Sequence, residues 1–205
     1  MEKAKILILF HSTYGHVYRL AQSFADGVKE AGAEPVIMKV EDLVPDKYLD
    51  DYAKQFKDSI KDIPAADPRK DLKGFDGYII GTPTRFGNMA AQMKNFWDQT
   101  GGDWVKGSLT GKPATVFVST ATQHGGQESA ILTSLVPLLH HGCVYVGLPV
   151  KYQSEVGIAD VSGGSNYGVS TIAGNDGSRQ VSEIEMQMAR DMGRHLTEIA
   201  IKLKG

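Results

Sequence analysis

The feature that most constrains the fold lies between residues 5 and 28. Lys5–Phe10 (KILILF) is an almost continuous apolar run without alternation, as expected of a strand covered on both faces. A small polar loop, HSTYGH, ends it. Val17, Leu20, Ala21, Phe24, Ala25 and Val28 follow at offsets of 0, 3, 4, 7, 8 and 11, a helical stripe that Gly32 can stop. A doubly buried strand feeding an amphipathic helix opens a parallel sheet layered between helices.

The alternation recurs along the chain. Val36–Val40, Gly77–Ile80, Ala114–Ser119 and Cys143–Val146 read as further strands. Met89, Met93, Phe96 and Trp97 share one helical face; Ile131, Leu135, Leu138 and Leu139 share another, where Pro137 is expected to kink or shorten the helix. The last helix opens on a capping box, Ser182 with Glu185, and runs to Leu203. Five strands joined by right-handed crossovers predict a doubly wound five-stranded parallel sheet in three α/β/α layers. Its ligand crevice lies at the carboxyl ends of the strands. Residues 1–205 read as a single domain.

Two segments exceed that plan. Within Glu41–Phe75, Tyr48, Tyr52 and Phe56 recur every four residues and predict a surface helix. Gly157–Val181 is rich in Gly and Ser and reads as a long loop, functional or disordered; following the fifth strand, it is expected across the carboxyl edge of the sheet, within reach of the ligand crevice and of a neighbouring subunit.

Charge narrows the partners. Twenty-two basic against 24 acidic residues give a net charge of −2, without the basic face that a nucleic acid needs. Cys143 is the only cysteine, which excludes an internal disulfide and points to a reducing, cytoplasmic location. It sits in a buried strand and reads as a small apolar residue. No apolar run approaches the ~18 residues of a membrane span.

Three loops at strand ends carry the chemistry. The first, from His11 to Val17, has no Lys or Arg and matches neither GxGxxG nor GxxxxGK[ST]. Its consecutive backbone N–H groups at a helix start, with about half a positive charge from the macrodipole, suit a phosphate. The same residues also suit an ordinary helix cap. The second loop, in GTPTRFGNM after the third strand, offers Arg85 and Phe86 to the edge of a planar ring, or makes a simple turn capped by Asn88. The third, STATQHGGQ, pairs Gly125 with Gly126 and lets backbone approach a ligand. A phosphate at the first and a flat ring against the others describe a flavin mononucleotide site. The adjacent His140 and His141 lack a His partner at helical spacing, so no metal site is expected.

SxYGH (Ser12–His16), GTPTRFGNM (Gly81–Met89), DQTGG (Asp98–Gly102), GGQE (Gly125–Glu128), HHG (His140–Gly142), and TIAG with DGSRQ (Thr171–Gln180) together resemble the WrbA-type NAD(P)H:quinone oxidoreductases, a flavodoxin-like FMN family. The resemblance spans the chain. It implies FMN contacts at Ser12, Thr13, Tyr14, Gly15, His16 and Val17, at Pro83, Thr84, Arg85 and Phe86, at Ser119, Thr120, Ala121, Thr122, Gln123 and His124, and at His140. It implies that Tyr14 meets the nicotinamide nucleotide and Trp104 the quinone. Ala121 stands where Gly is common and Val150 where an aromatic often stands. The implied activity is hydride transfer from NAD(P)H through FMN to a quinone, by ping-pong turnover on one shared face, in a homotetramer. No GxGxxG with a following acidic residue marks a separate nucleotide site. A flavodoxin-type one-electron carrier and a flavin-bearing regulatory protein are the competing readings. The late loop and the balanced charge weigh against the first. Arg19, Arg69, Arg85 and Arg179 are the candidates for a nucleotide 2′-phosphate.

Overall fold

The computed structural model describes residues 2–153 and 160–204; Gly157, where the sequence opens the late loop, lies outside them. The elements are β1 (Lys5–Phe10), α1 (His16–Glu30), β2 (Glu34–Lys39), α2 (Asp51–Ser59), β3 (Gly77–Arg85), β4 (Asn88–Met89), α3 (Ala91–Asp98), α4 (Gly101–Val105), β5 (Pro113–Thr120), α5 (Gln127–His140), β6 (Val144–Tyr145), β7 (Val169–Ile172) and α6 (Glu183–Lys204). The parallel order β2-β1-β3-β5-β6 is that of a flavodoxin-like doubly wound sheet, and the order reverses between β1 and β3.

Among the described residues the sheet has seven strands rather than five. β4 is a two-residue hairpin partner of β3, antiparallel, with Arg85 opposite Asn88. The fifth rank is built from two pieces. β6 pairs with the start of β5, at Pro113 and Ala114, and β7 with its end, from Phe117 to Thr120. The sequence pattern assigns the rank to Cys143–Val146 alone and places Val169–Ile172 in a loop. The second piece escapes because VSTI is short and half hydroxylic, yet all four residues are buried.

The apolar run of β1 divides by parity, as side chains on a strand must. Ile6, Ile8 and Phe10 enter a core with α1 and α6, and Leu7 and Leu9 a second core with α3 and α5. α1 and α6 cross closely. A Cβ on Gly27 would stand 1.9 Å from the Arg190 carbonyl oxygen, and one on Gly193 2.4 Å from that of Phe24.

Other local expectations shift. α5 runs through Pro137 to His140, because a proline in the last turn forfeits only one ladder bond. Asn88 does not cap α3. Its Oδ1 accepts from Met89 N, and Ala90 N donates to Thr82 Oγ1 instead. In the 41–75 segment only Asp51–Ser59 is α-helical, capped by Asp50, while Tyr48 sits in a preceding 3-10 turn.

Candidate functional site

The loop after β1 and the carboxyl ends of β3 and β5 converge on one cavity of about 690 Å³, within the usual range for cofactor sites. Its inner wall is Ser12, Thr13, Tyr14, His16 and Val17, with Pro83, Thr84 and Arg85 on one side and Ser119, Thr120 and Ala121 on the other. The outer wall is the turn after β7, from Ala173 to Ser178 with Gln180, and Asp50 and Tyr52 close the rim.

The first loop is shaped for an anion. Gly15 holds φ at +96°, a left-handed conformation that a side chain would strain, and Phe56 stands 3.3 Å from where a Cβ would be. Gly15 N donates to Ser12 Oγ at 3.1 Å. The helical ladder begins when Arg19 N donates to Gly15 O at 2.8 Å. The N–H groups of His16, Val17 and Tyr18 therefore precede the ladder, at the positive end of a 15-residue helix. Arg85 adds a formal charge, its Nη2 donating to Thr13 Oγ1 at 3.4 Å. These are the groups a flavin phosphate requires: unpaired N–H donors, small residues, and a positive field without a lysine. The residues present fit FMN.

His11 lies beneath this loop. It is 6% exposed, with Nε2 3.5 Å from Thr13 Oγ1. Burial pushes its imidazole pKa down to about 4, Asp42 opposing the shift and Arg85 adding to it. Tyr14 stacks on Tyr52 with ring centres 6.3 Å apart. Neither Asp50, Tyr52 nor the outer wall belonged to the site residues read from the sequence. The TIAG and DGSRQ motifs were the one available signal, and for the wall only.

Some of those residues lie elsewhere in the chain. Gly15 backs the first loop without lining the cavity. Phe86 is fully exposed at the tip of the β3–β4 hairpin, with φ +52°. Thr122, Gln123 and His124 continue the third loop at the surface, where Gln127 Nε2 donates to the Thr122 and Gln123 carbonyls. His140 and Trp104 line a separate cavity of about 420 Å³ between α3, α4 and α5. Trp104 is 54% exposed there. Beside it, Asp103 is buried, accepting from Ser108 Oγ at 2.7 Å with Lys73 Nζ at 3.6 Å, partners that its sequence neighbourhood did not reveal. His141 Nε2 pairs with Thr100 Oγ1 at 2.8 Å, and burial lowers its pKa. Cys143 is buried, its thiol pushed up to about 12. Among the described residues, Arg85 is the one arginine of the four candidates that lines the main cavity. Arg179 is paired with Glu185.

The family model for NADPH-dependent FMN reductases matches residues 4–151. A protein of Aromatoleum aromaticum named NAD(P)H dehydrogenase (quinone) is 51% identical over 201 residues, covering 97% of each chain. One of the same name from Rhizobium rhizogenes is 50% identical, covering 98% of each. Among solved structures, a WrbA-like flavodoxin from Agrobacterium tumefaciens superposes with a TM-score of 0.65 at 18% identity, over 98% of this chain and 99% of that one; it supports the fold alone. With a family model matched across most of the chain and full-length relatives at half identity, the chain belongs to the NADPH-dependent FMN reductase family, alongside the WrbA-type NAD(P)H:quinone oxidoreductases.

Proposed function

We propose that this protein is an FMN-dependent NAD(P)H:quinone oxidoreductase whose flavin occupies the 690 Å³ cavity. The observation that carries the reading is the meeting of three strand ends on one cavity whose inner end is an anion seat. When bound, FMN supplies the two-electron hydride chemistry between NAD(P)H and the quinone. The chain's own residues bind and orient. The first turn of α1 holds the phosphate through backbone N–H groups, and Ser12 and Thr13 add hydroxyls. Pro83–Arg85 and Ser119–Ala121 flank the ring. The Tyr14–Tyr52 pair gives the open side an aromatic wall for the nicotinamide nucleotide. One open face serves nucleotide and quinone in turn, hence ping-pong turnover.

The working form is a homotetramer, and a neighbouring copy supplies Trp104 and His140 to each cavity. Two observations support this. The two residues stand away from the cavity of their own chain. α5 also exposes Leu132, Val136 and Leu139 at i, i+4 and i+7, and Val136 lines the same cavity as Trp104. An exposed row of large apolar side chains on a helix suits coverage by another copy.

The test begins with an absorption spectrum of the purified protein. A flavin band is expected that NAD(P)H bleaches anaerobically and benzoquinone restores. Light scattering gives the mass. A protein that takes up FMN without bleaching, or bleaches without recovery, refutes the activity; a catalytically competent monomer refutes the shared site.

A further inference from the structure

Glu185 is fully buried, at 0% exposure, and carries a carboxylate. The capping box uses part of it: Ser182 N donates to Oε2 at 2.8 Å, and Glu185 N donates back to Ser182 Oγ at 3.3 Å. The carboxylate also accepts from Gly163 N at 2.9 Å, Thr171 Oγ1 at 3.0 Å and Arg179 Nη1 at 3.1 Å. Capping needs none of these. Arg179 gives its other donors to the carbonyls of Ile172 at 2.7 Å and Val161 at 2.6 Å, and its backbone N to that of Ala173 at 2.9 Å. Its own carbonyl accepts from His16 Nε2 at 3.0 Å. His16 is the first residue of α1 and lines the cavity.

A continuous series of contacts thus joins a buried carboxylate on α6 to the anion seat. It passes through the segment that forms the cavity's outer wall. Burying an ion pair costs desolvation that an apolar pair of equal volume avoids. What the charged pair adds is direction, because the guanidinium fork fixes where the Arg179 backbone lies.

We infer that Glu185 is a positioning residue for the flavin phosphate: through Arg179 it fixes the carbonyl that orients His16, and with it the first turn of α1. This rests on the flavin reading of the cavity. Glu185→Gln keeps the volume and removes the charge. FMN release from diluted holoprotein, followed by the rise in flavin fluorescence, gives the affinity. The variant is expected to bind FMN about fivefold more weakly, the worth of one hydrogen bond. His16→Ala alone weakens it by a similar factor, and adding His16→Ala to Glu185→Gln weakens it little further. A role in stability alone lowers the melting temperature but leaves the two effects on affinity multiplying. Multiplying effects, or unchanged affinity in folded Glu185→Gln, overturn the inference. Should Glu185→Gln fail to fold, Arg179→Lys replaces it, retaining the charge without the fork; the same non-additivity with His16→Ala is expected, and its absence refutes. A parent protein that takes up no FMN overturns the cavity reading and this inference together. A parent that binds FMN, with multiplying effects in the variants, overturns the inference alone.

Discussion

Acid should loosen this fold through His11 before it protonates most surface groups. The imidazole is buried beneath the phosphate loop with a pKa pushed down from 6.5 to about 4. Unfolding restores the ordinary value, so below pH 6.5 the unfolded chain binds a proton that the folded chain refuses. The group therefore costs nothing above its unfolded pKa, and stability falls as pH drops from about 6.5 towards about 4, beyond which the loss is constant. A displacement of roughly 2.5 units at 1.36 kcal/mol each gives about 3 kcal/mol, to order of magnitude, a large share of an ordinary domain's stability. His11→Gln keeps a polar side chain able to meet Thr13 and cannot titrate. Urea unfolding of parent and variant, followed by far-UV circular dichroism at about pH 7, 5.5 and 4.5, isolates the effect, since the carboxylates are common to both. The parent should lose about 2 kcal/mol more than the variant by about pH 4.5. Equal acid sensitivity would show that His11 is solvated in solution and that the reasoning from burial is wrong.

Other perturbations test the site and the frame. Ser12→Ala should weaken FMN only modestly, because backbone donors remain. Gly15→Asp should abolish flavin binding, because it strains a left-handed φ, crowds Phe56 and sets an anion beside the phosphate; equilibrium dialysis reads both. Trp104→Ala should slow the quinone half-reaction in stopped flow more than it weakens FMN, and lost flavin with unchanged quinone kinetics would make the residue structural. Gly27→Ala should destabilise by more than ~3 kcal/mol, since its Cβ would stand 1.9 Å from the Arg190 carbonyl and α1 and α6 must part; a thermal melt within a degree or two of the parent would refute the packing.

Much of the frame was legible in the sequence because doubly buried strands are apolar without a period. KILILF and ATVFVS announce themselves, and the α1 stripe fixes which face is buried. Where burial is met by hydrogen bonds rather than apolar surface, the pattern fails. Ser170 and Thr171 are fully buried in β7 with hydroxyls bonded to Gly164 N and Glu185, and nothing in a hydropathy pattern shows that. The inner wall of the site was legible because each of its loops follows a recognisable strand. The outer wall was legible only in outline, as the late loop expected at the carboxyl edge of the sheet; its lining residues were not, since they follow a strand the hydropathy pattern does not show. Tyr52 reaches the rim from α2 across 38 positions from Tyr14, a proximity set by tertiary packing. Arg179 reads as a phosphate candidate in the sequence like any other arginine, because its pairing with Glu185 is a tertiary contact that no spacing shows.

The crossing of α1 with α6 has a consequence for the newborn chain. The apolar stripe of α1 is complete once Glu30 has been made, but its cover begins at Glu183. The interval is 183 − 30 = 153 residues, which at ~5–20 residues per second is on the order of ten seconds. Through that time Leu20, Phe24 and Val28 have only the strands to lean on. β7 and the Glu185 contacts that fasten the cavity wall arrive in the same late stretch. On the ribosome, an intact flavin seat is therefore among the last things this protein acquires, and the nascent helix α1 is a natural client for a chaperone that shields apolar surface.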